Sequence, residues 1–228
     1  MKKFWWSVVF KVGCMRTPLY IYRLLKLPKQ IKSLLLNEYN PTTSWVNKNT
    51  ELVMDGFPGS GNSFSANVIK YYQPGNLRTA NHLHSPLLII RAIELGLPVV
   101  VFIREPLAAV ISANRRMPWS DKMQSLKIYP QFYRMLMPYA GKFVVSDFER
   151  TITDLNSVII ELNEQFDCKF CEIPTNEELA GFKPTKATKE KKQIIEELKQ
   201  ELLEKNGVDA CLREAQHVYE EFIKLTRL

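Results

Sequence analysis

Met54 to Phe64 reads MDGFPGSGNSF. The apolar run Leu52, Val53 and Met54 leads into it, and the spacing of Phe64, Val68, Ile69 and Tyr72 predicts a helix from Asn62 to Tyr72 behind it. The stretch is therefore a strand, a glycine-bearing turn and a helix N-terminus. The first amides of such a helix have no intrahelical acceptor, and the helix dipole adds positive potential at the same end, so the turn suits an anion. Gly59 and Gly61 let the backbone come close to that anion, while Ser60, Asn62 and Ser63 add short donors without filling the cup. A plain connecting turn is the bland alternative.

The stretch differs by one residue from the nucleotide-binding pattern G-x-x-x-x-G-K-[ST], with Gly56, Gly61 and Ser63 in register and Asn62 in the place of the lysine. Kinases and NTPases set that ammonium on the β and γ phosphates beside magnesium, so Asn62 counts against ATP chemistry.

Downstream, Gln73-Pro-Gly-Asn76 ends the helix and Leu77 to Ser85 (LRTANHLHS) reads as an extended segment, in which His82 and His84 share one side. Ser85 is placed to cap a helix opening at Pro86 and running to Gly96. Val99 to Ile103 is a continuous run of branched and aromatic residues, the pattern of a central parallel strand buried on both faces. It ends in Arg104-Glu105-Pro106, with Pro106 opening the next helix. Strand, turn and helix thus occur twice, which predicts a doubly wound parallel sheet with its ligand site at the carboxyl ends of the strands. Arg104 at such an end is either bound to an anion or paired with a carboxylate such as Glu105 or Asp147.

The bulk properties fit. A chain of 228 residues, 46% hydrophobic, holds enough apolar material for one α/β domain. Its net charge of +7 favours anionic partners. Basic and aromatic residues do not interleave as in nucleic-acid modules, and no zinc-finger spacing occurs, so nucleic acid is not an expected partner. Of the four cysteines, Cys14, Cys168, Cys171 and Cys211, only Cys168 and Cys171 form a C-x-x-C, and no second pair completes a metal site. Residues 1–36 are basic and aromatic, but Lys11 and Arg16 interrupt their apolar run, which is too short to span a bilayer. Two expectations stand for them, a helix packed on the domain or a segment lying on a membrane surface. The expected location is cytoplasmic, with peripheral membrane contact as the second case.

Several of these residues together carry a resemblance. Phe57 to Phe64, FPGSGNSF, is similar to the 5′-phosphosulfate loop of the sulfotransferases that use 3′-phosphoadenosine 5′-phosphosulfate (PAPS). Arg104-Glu-Pro followed by Ser112, 112 minus 104 being 8, resembles their 3′-phosphate motif. Asn81-His82-Leu83, with His82 104 minus 82 or 22 residues before the arginine, resembles the strand that carries their catalytic histidine. Phe143 to Glu149 with a helix from Thr153 to Phe166 resembles a later acidic strand end. The resemblance covers Leu52 to Phe166. It departs from the family at Gly59 and Ala80, where lysines are common, and in lacking a C-terminal R-K-G motif, for which Lys183 or Lys186 could substitute.

The resemblance implies a three-layer α/β fold, a parallel β-sheet flanked by helices of the P-loop NTPase-like, sulfotransferase type, with a helical C-terminal extension. It implies a single domain over 1–228, with an N-terminal segment and linker (1–49), a nucleotide-binding core (50–170) and a helical part (171–228). PAPS would be the co-substrate, with no metal. Gly59, Ser60, Gly61, Asn62 and Ser63 would hold the 5′-phosphate, Phe64 would stack on the adenine, and Arg104 and Ser112 would grip the 3′-phosphate. His82 would be the base, with His84 its rival. The acceptor, whether carbohydrate, lipid or small alcohol, is not legible. A P-loop phosphotransferase or NTPase, and a non-catalytic nucleotide-binding or membrane-associated scaffold, are the alternatives. Pro118 to Pro138 reads either as an acceptor-facing lid or as a packed helix, and residues from Thr188 onward read as two helices broken at Gly207.

Overall fold

The computed structural model describes residues 46–174, 182 and 189–226. The N-terminal segment with Cys14, the linker as far as residue 45, and Lys183 and Lys186 lie outside the described residues.

Four strands form one all-parallel sheet in the order β2-β1-β3-β4: β1 (Leu52–Gly56), β2 (Thr79–Asn81), β3 (Val99–Ile103) and β4 (Val144–Asp147). Between and after them come α1 (Asn62–Tyr72), α2 (Pro86–Glu94), α3 (Pro106–Arg116), α4 (Lys122–Leu136), α5 (Phe148–Thr153), α6 (Leu155–Phe166), α7 (Lys189–Leu203) and α8 (Val208–Thr226). Alternation along the strands builds two cores. Leu52, Met54, Val100, Phe102 and Val144 face α1 and α6, whereas Val53, Val99, Val101 and Ile103 face α2, α3, α4 and α8. Every residue of β3 is fully buried, as expected of a central parallel strand.

Three expectations are corrected here. The extended segment is a strand only over Thr79–Asn81, because His82 and His84 have left-handed backbones (φ 57 and 48). The helical C-terminus is no extension: Val208, Ala215, Val218 and Phe222 of α8 are buried, and the Phe222 ring lies 5.0 Å from that of Tyr133 on α4. The expected break at Gly207 is present, with φ 77. The region expected as strand and long helix near residue 150 contains a short extra helix, α5, because Asp147 and Asp154 each cap a new helix start. Of the two expectations for Pro118 to Pro138, the packed helix is the one found, with Leu126, Tyr129, Phe132, Tyr133 and Leu136 fully buried. Among the described residues no helix is long and apolar enough to cross a membrane.

Candidate functional site

All four strands point their carboxyl ends at one edge of the sheet, where residues 57–61, 82–85, 104–105 and 148 follow. The turn after β1 is pinned from below. Phe57 is fully buried, its ring edge-on to Tyr129 at 5.0 Å. The Tyr133 hydroxyl donates to the Phe102 carbonyl at 2.9 Å, accepts from the Phe57 amide at 3.3 Å and lies 3.4 Å from Ser60 Oγ. Tyr129 donates to the Arg104 carbonyl at 2.5 Å, so one helix, α4, braces the ends of both central strands. Gly59 lies against α3, where an added Cβ would stand 2.2 Å from the Ala109 carbonyl oxygen.

Gly61 occupies the N-cap of α1 with φ 106, and no side chain caps this helix. In α2 Ser85 stands at the N-cap as expected but makes no side-chain capping bond, whereas α3, α4, α5 and α6 are capped by Glu105, Asp121, Asp147 and Asp154. The first-turn amides of α1 therefore remain donors for something outside the helix. Ser60, expected to present its hydroxyl to a ligand, has it turned inward onto Tyr133. Asn62 is also buried: Nδ2 donates to the Gly56 carbonyl at 3.1 Å, and Oδ1 is enclosed with no partner among the described residues. Ser63 is half-exposed, and its hydroxyl accepts from Arg116 Nη1 at 3.3 Å. Phe64 is half-buried against the core beneath α1.

His84 Nδ1 lies 2.8 Å from the same Gly56 carbonyl, so that nitrogen carries the proton and donates, and Nε2 is the unprotonated one. Asn62 Nδ2 and His84 Nδ1 come within 3.2 Å because both converge on one oxygen. Behind them lies Asp55, fully buried, 3.5 Å from His84 Nδ1 and accepting from the Gly56 amide at 2.9 Å. The amides of Ser85, His84 and Leu83 also face its carboxylate, which explains why the chain turns left-handed at these histidines. Asp55 was no sequence candidate; its only signal was a lone acid closing an apolar strand.

Burial pushes the Asp55 carboxyl up to about 7 against those amides, and burial pushes His84 down to about 3. The signs oppose. A carboxyl raised in the folded state stabilises the fold below about pH 4 and loses that contribution as pH rises through about 7. An imidazole lowered in the folded state stabilises it above about 6.5 and loses that contribution as pH falls through about 3. Wild-type stability should thus change little between about pH 4 and 6.5 on account of this pair. The variant His84→Gln should expose the carboxyl's slope, its unfolding free energy falling from about pH 4 to 7. Urea denaturation across that range is the check, and a flat profile in the variant would show that Asp55 does not titrate there.

His82 is half-buried, its ring 5.8 Å from that of His84. Burial lowers its pKa, and the nearby charges of Arg116 and Lys70 lower it further. Arg104 donates from Nη1 to the Gly59 carbonyl at 3.1 Å and lies 3.7 Å over the Phe148 ring. Neither carboxylate considered as its partner forms an ion pair with it: Glu105 accepts from the Leu107 and Ala108 amides, and Asp147 from that of Arg150. Ser112 is half-buried on α3, and its carbonyl accepts from Arg116 Nε at 3.4 Å. Arg116 was missed in the sequence, although it lies one turn beyond Ser112 on the same helix.

No family model, curated protein or solved structure matches the chain. Function is therefore argued from the site. The loop, Arg104, Arg116 and both histidines meet at one edge, and the C-x-x-C cysteines carry no disulfide. No group of three or more His, Cys, Asp or Glu among the described residues is arranged to hold a metal. The assembly offers amide donors, two guanidinium groups and an imidazole, which is chemistry for an anion of several oxygens and a hydroxyl to be deprotonated.

Proposed function

We propose that the chain is a PAPS-dependent sulfotransferase with a P-loop-like nucleotide site. The observation that carries this reading is the convergence of the uncapped α1 N-terminus, the Arg104 guanidinium, which forms no ion pair among the described residues, and the His82–His84 pair on one sheet edge. The 5′-phosphosulfate lies on the first-turn amides of α1 with Ser63, and Arg104 with Ser112 takes the 3′-phosphate. His82 accepts the proton of the acceptor hydroxyl as its oxygen attacks sulfur. The new S–O bond forms in line with the breaking one, and the departing electron pair remains on the 5′-phosphate oxygen. His84 is tied to Gly56 and lowered to about 3, so it suits holding the loop better than taking a proton. Magnesium-ATP chemistry lacks its lysine, since Asn62 stands there with its amide on a backbone carbonyl.

The test is thermal stabilisation by 3′-phosphoadenosine 5′-phosphate (PAP), ADP and ATP, each with and without magnesium. PAP should raise the melting temperature most. Preference for magnesium-ATP would replace this reading with a phosphotransferase. Arg104→Ala should weaken PAP binding by about 1.5 to 3 kcal/mol through loss of a charge-assisted contact, measured by calorimetry. Unchanged affinity would remove the 3′-phosphate role. The inward turn of Ser60 and Asn62 favours a second reading, a nucleotide-binding protein without transfer activity. That protein would bind PAP yet move no labelled sulfate from PAPS to any acceptor in a broad panel.

A further inference from the structure

Arg104 and Arg116 stand at the turn after β1 and the start of α1, Lys70 lies near the other end of α1, and none of the three forms an ion pair among the described residues. Arg104, held by Gly59 and Phe148, is the group assigned above to the 3′-phosphate, which leaves the other two. Arg116 ends α3 and reaches across to Ser63 Oγ at 3.3 Å, bringing a guanidinium to the first turn of α1. Lys70 lies seven residues after Ser63 on α1, two turns along the same face. Both are near enough to His82 for their charge to act on its imidazole. Arg116 acts on Arg104 as a like charge, and Arg116 and Lys70 both disfavour the protonated form of His82.

Sulfuryl transfer creates a demand at this place. As the S–O bond to the donor breaks, negative charge grows on the 5′-phosphate and persists on the sulfuryl oxygens. The helix amides bring only partial charges to it. Gly59 and Ala80 bring none.

We infer that Arg116 neutralises the charge that develops on the sulfuryl group and the departing phosphate, with Lys70, two turns along α1, adding only a long-range charge. This rests on the sulfotransferase reading above, and its test can be separated from that reading because the cations should bind any oxyanion placed on the α1 N-terminus. The guanidinium takes two oxygens in a planar fork, whereas the ammonium acts as a point charge.

Calorimetry with inorganic pyrophosphate and with PAP, on wild type, Arg116→Ala, Arg116→Lys and Lys70→Ala, makes the test. Arg116→Ala should weaken pyrophosphate binding about tenfold or more, Arg116→Lys should restore part of it, and Lys70→Ala should cost about threefold. Wild type that binds no pyrophosphate at millimolar concentration, or Arg116→Ala that binds it as wild type does, overturns the inference. Pyrophosphate binding that depends on Arg116 without preference for PAP over ADP keeps the inference in its general form, an oxyanion site, and removes the sulfotransferase reading. PAP preference with Arg116-independent pyrophosphate binding does the reverse.

Discussion

On the proposed sulfotransferase reading, His82→Ala should lower turnover by about 10² or more while PAP affinity is kept. The reason lies in what each histidine is already doing. His84 has Nδ1 on the Gly56 carbonyl and a carboxyl behind it, so its removal loosens the turn that would hold the donor. His82 has neither tie, and burial with Arg116 and Lys70 lowers its pKa, keeping its ring neutral and able to accept a proton at neutral pH. The two variants should therefore differ in kind. His82→Ala should lose kcat with melting temperature and PAP affinity near wild type, whereas His84→Ala should lose stability and PAP affinity together. Steady-state kinetics with labelled PAPS, beside calorimetry, separates them. Equal turnover of His82→Ala and wild type would remove His82 as the base and move the test to His84.

Gly59→Ala destabilises the fold by about 3 to 4 kcal/mol, the sum of left-handed strain and a backbone collision. The added methyl would meet the Ala109 carbonyl oxygen at 2.2 Å, and φ there is 92. Neither the loop nor α3 can yield easily, since Tyr133 and Phe57 brace the loop and Glu105 caps the helix. Gly75→Ala is the control. It shares a positive φ of 76 but meets nothing within 4 Å, so only strain of about 1 kcal/mol is expected. Chemical denaturation reads both. Equal losses in the two variants would show that Gly59 does not press on α3. Gly59 is thus required by packing whether or not a phosphate visits the turn, and it carries less functional information than its place in the motif suggests.

Much of the fold was legible because it depends on neighbours in the chain. The periodicity of Phe64, Val68, Ile69 and Tyr72 marked α1 at the bounds it has, and the unbroken run Val99 to Ile103 marked the buried central strand. Pro106 and Gly207 marked helix boundaries for the same local reason. The site was legible only as a set of residue types. His82 and His84 read as extended because nothing nearby in sequence announces that Asp55, some thirty residues earlier, gathers the amides of Leu83 to Ser85. Ser60 read as a ligand donor because Tyr133, which draws it inward, is 73 positions away.

By itself, then, the amino-acid order determined α1, the central strand β3, the helix starts at Pro86 and Pro106 and the parallel sheet, since periodicity, proline and glycine act within a few residues. Only the tertiary structure decided which side chains of the turn face the core, that the histidines adopt left-handed backbones, and that Arg116 joins Ser63. Those outcomes are set by contacts between residues dozens of positions apart, where a buried carboxylate, a tyrosine hydroxyl or an unpaired guanidinium must find its partner across the sheet edge.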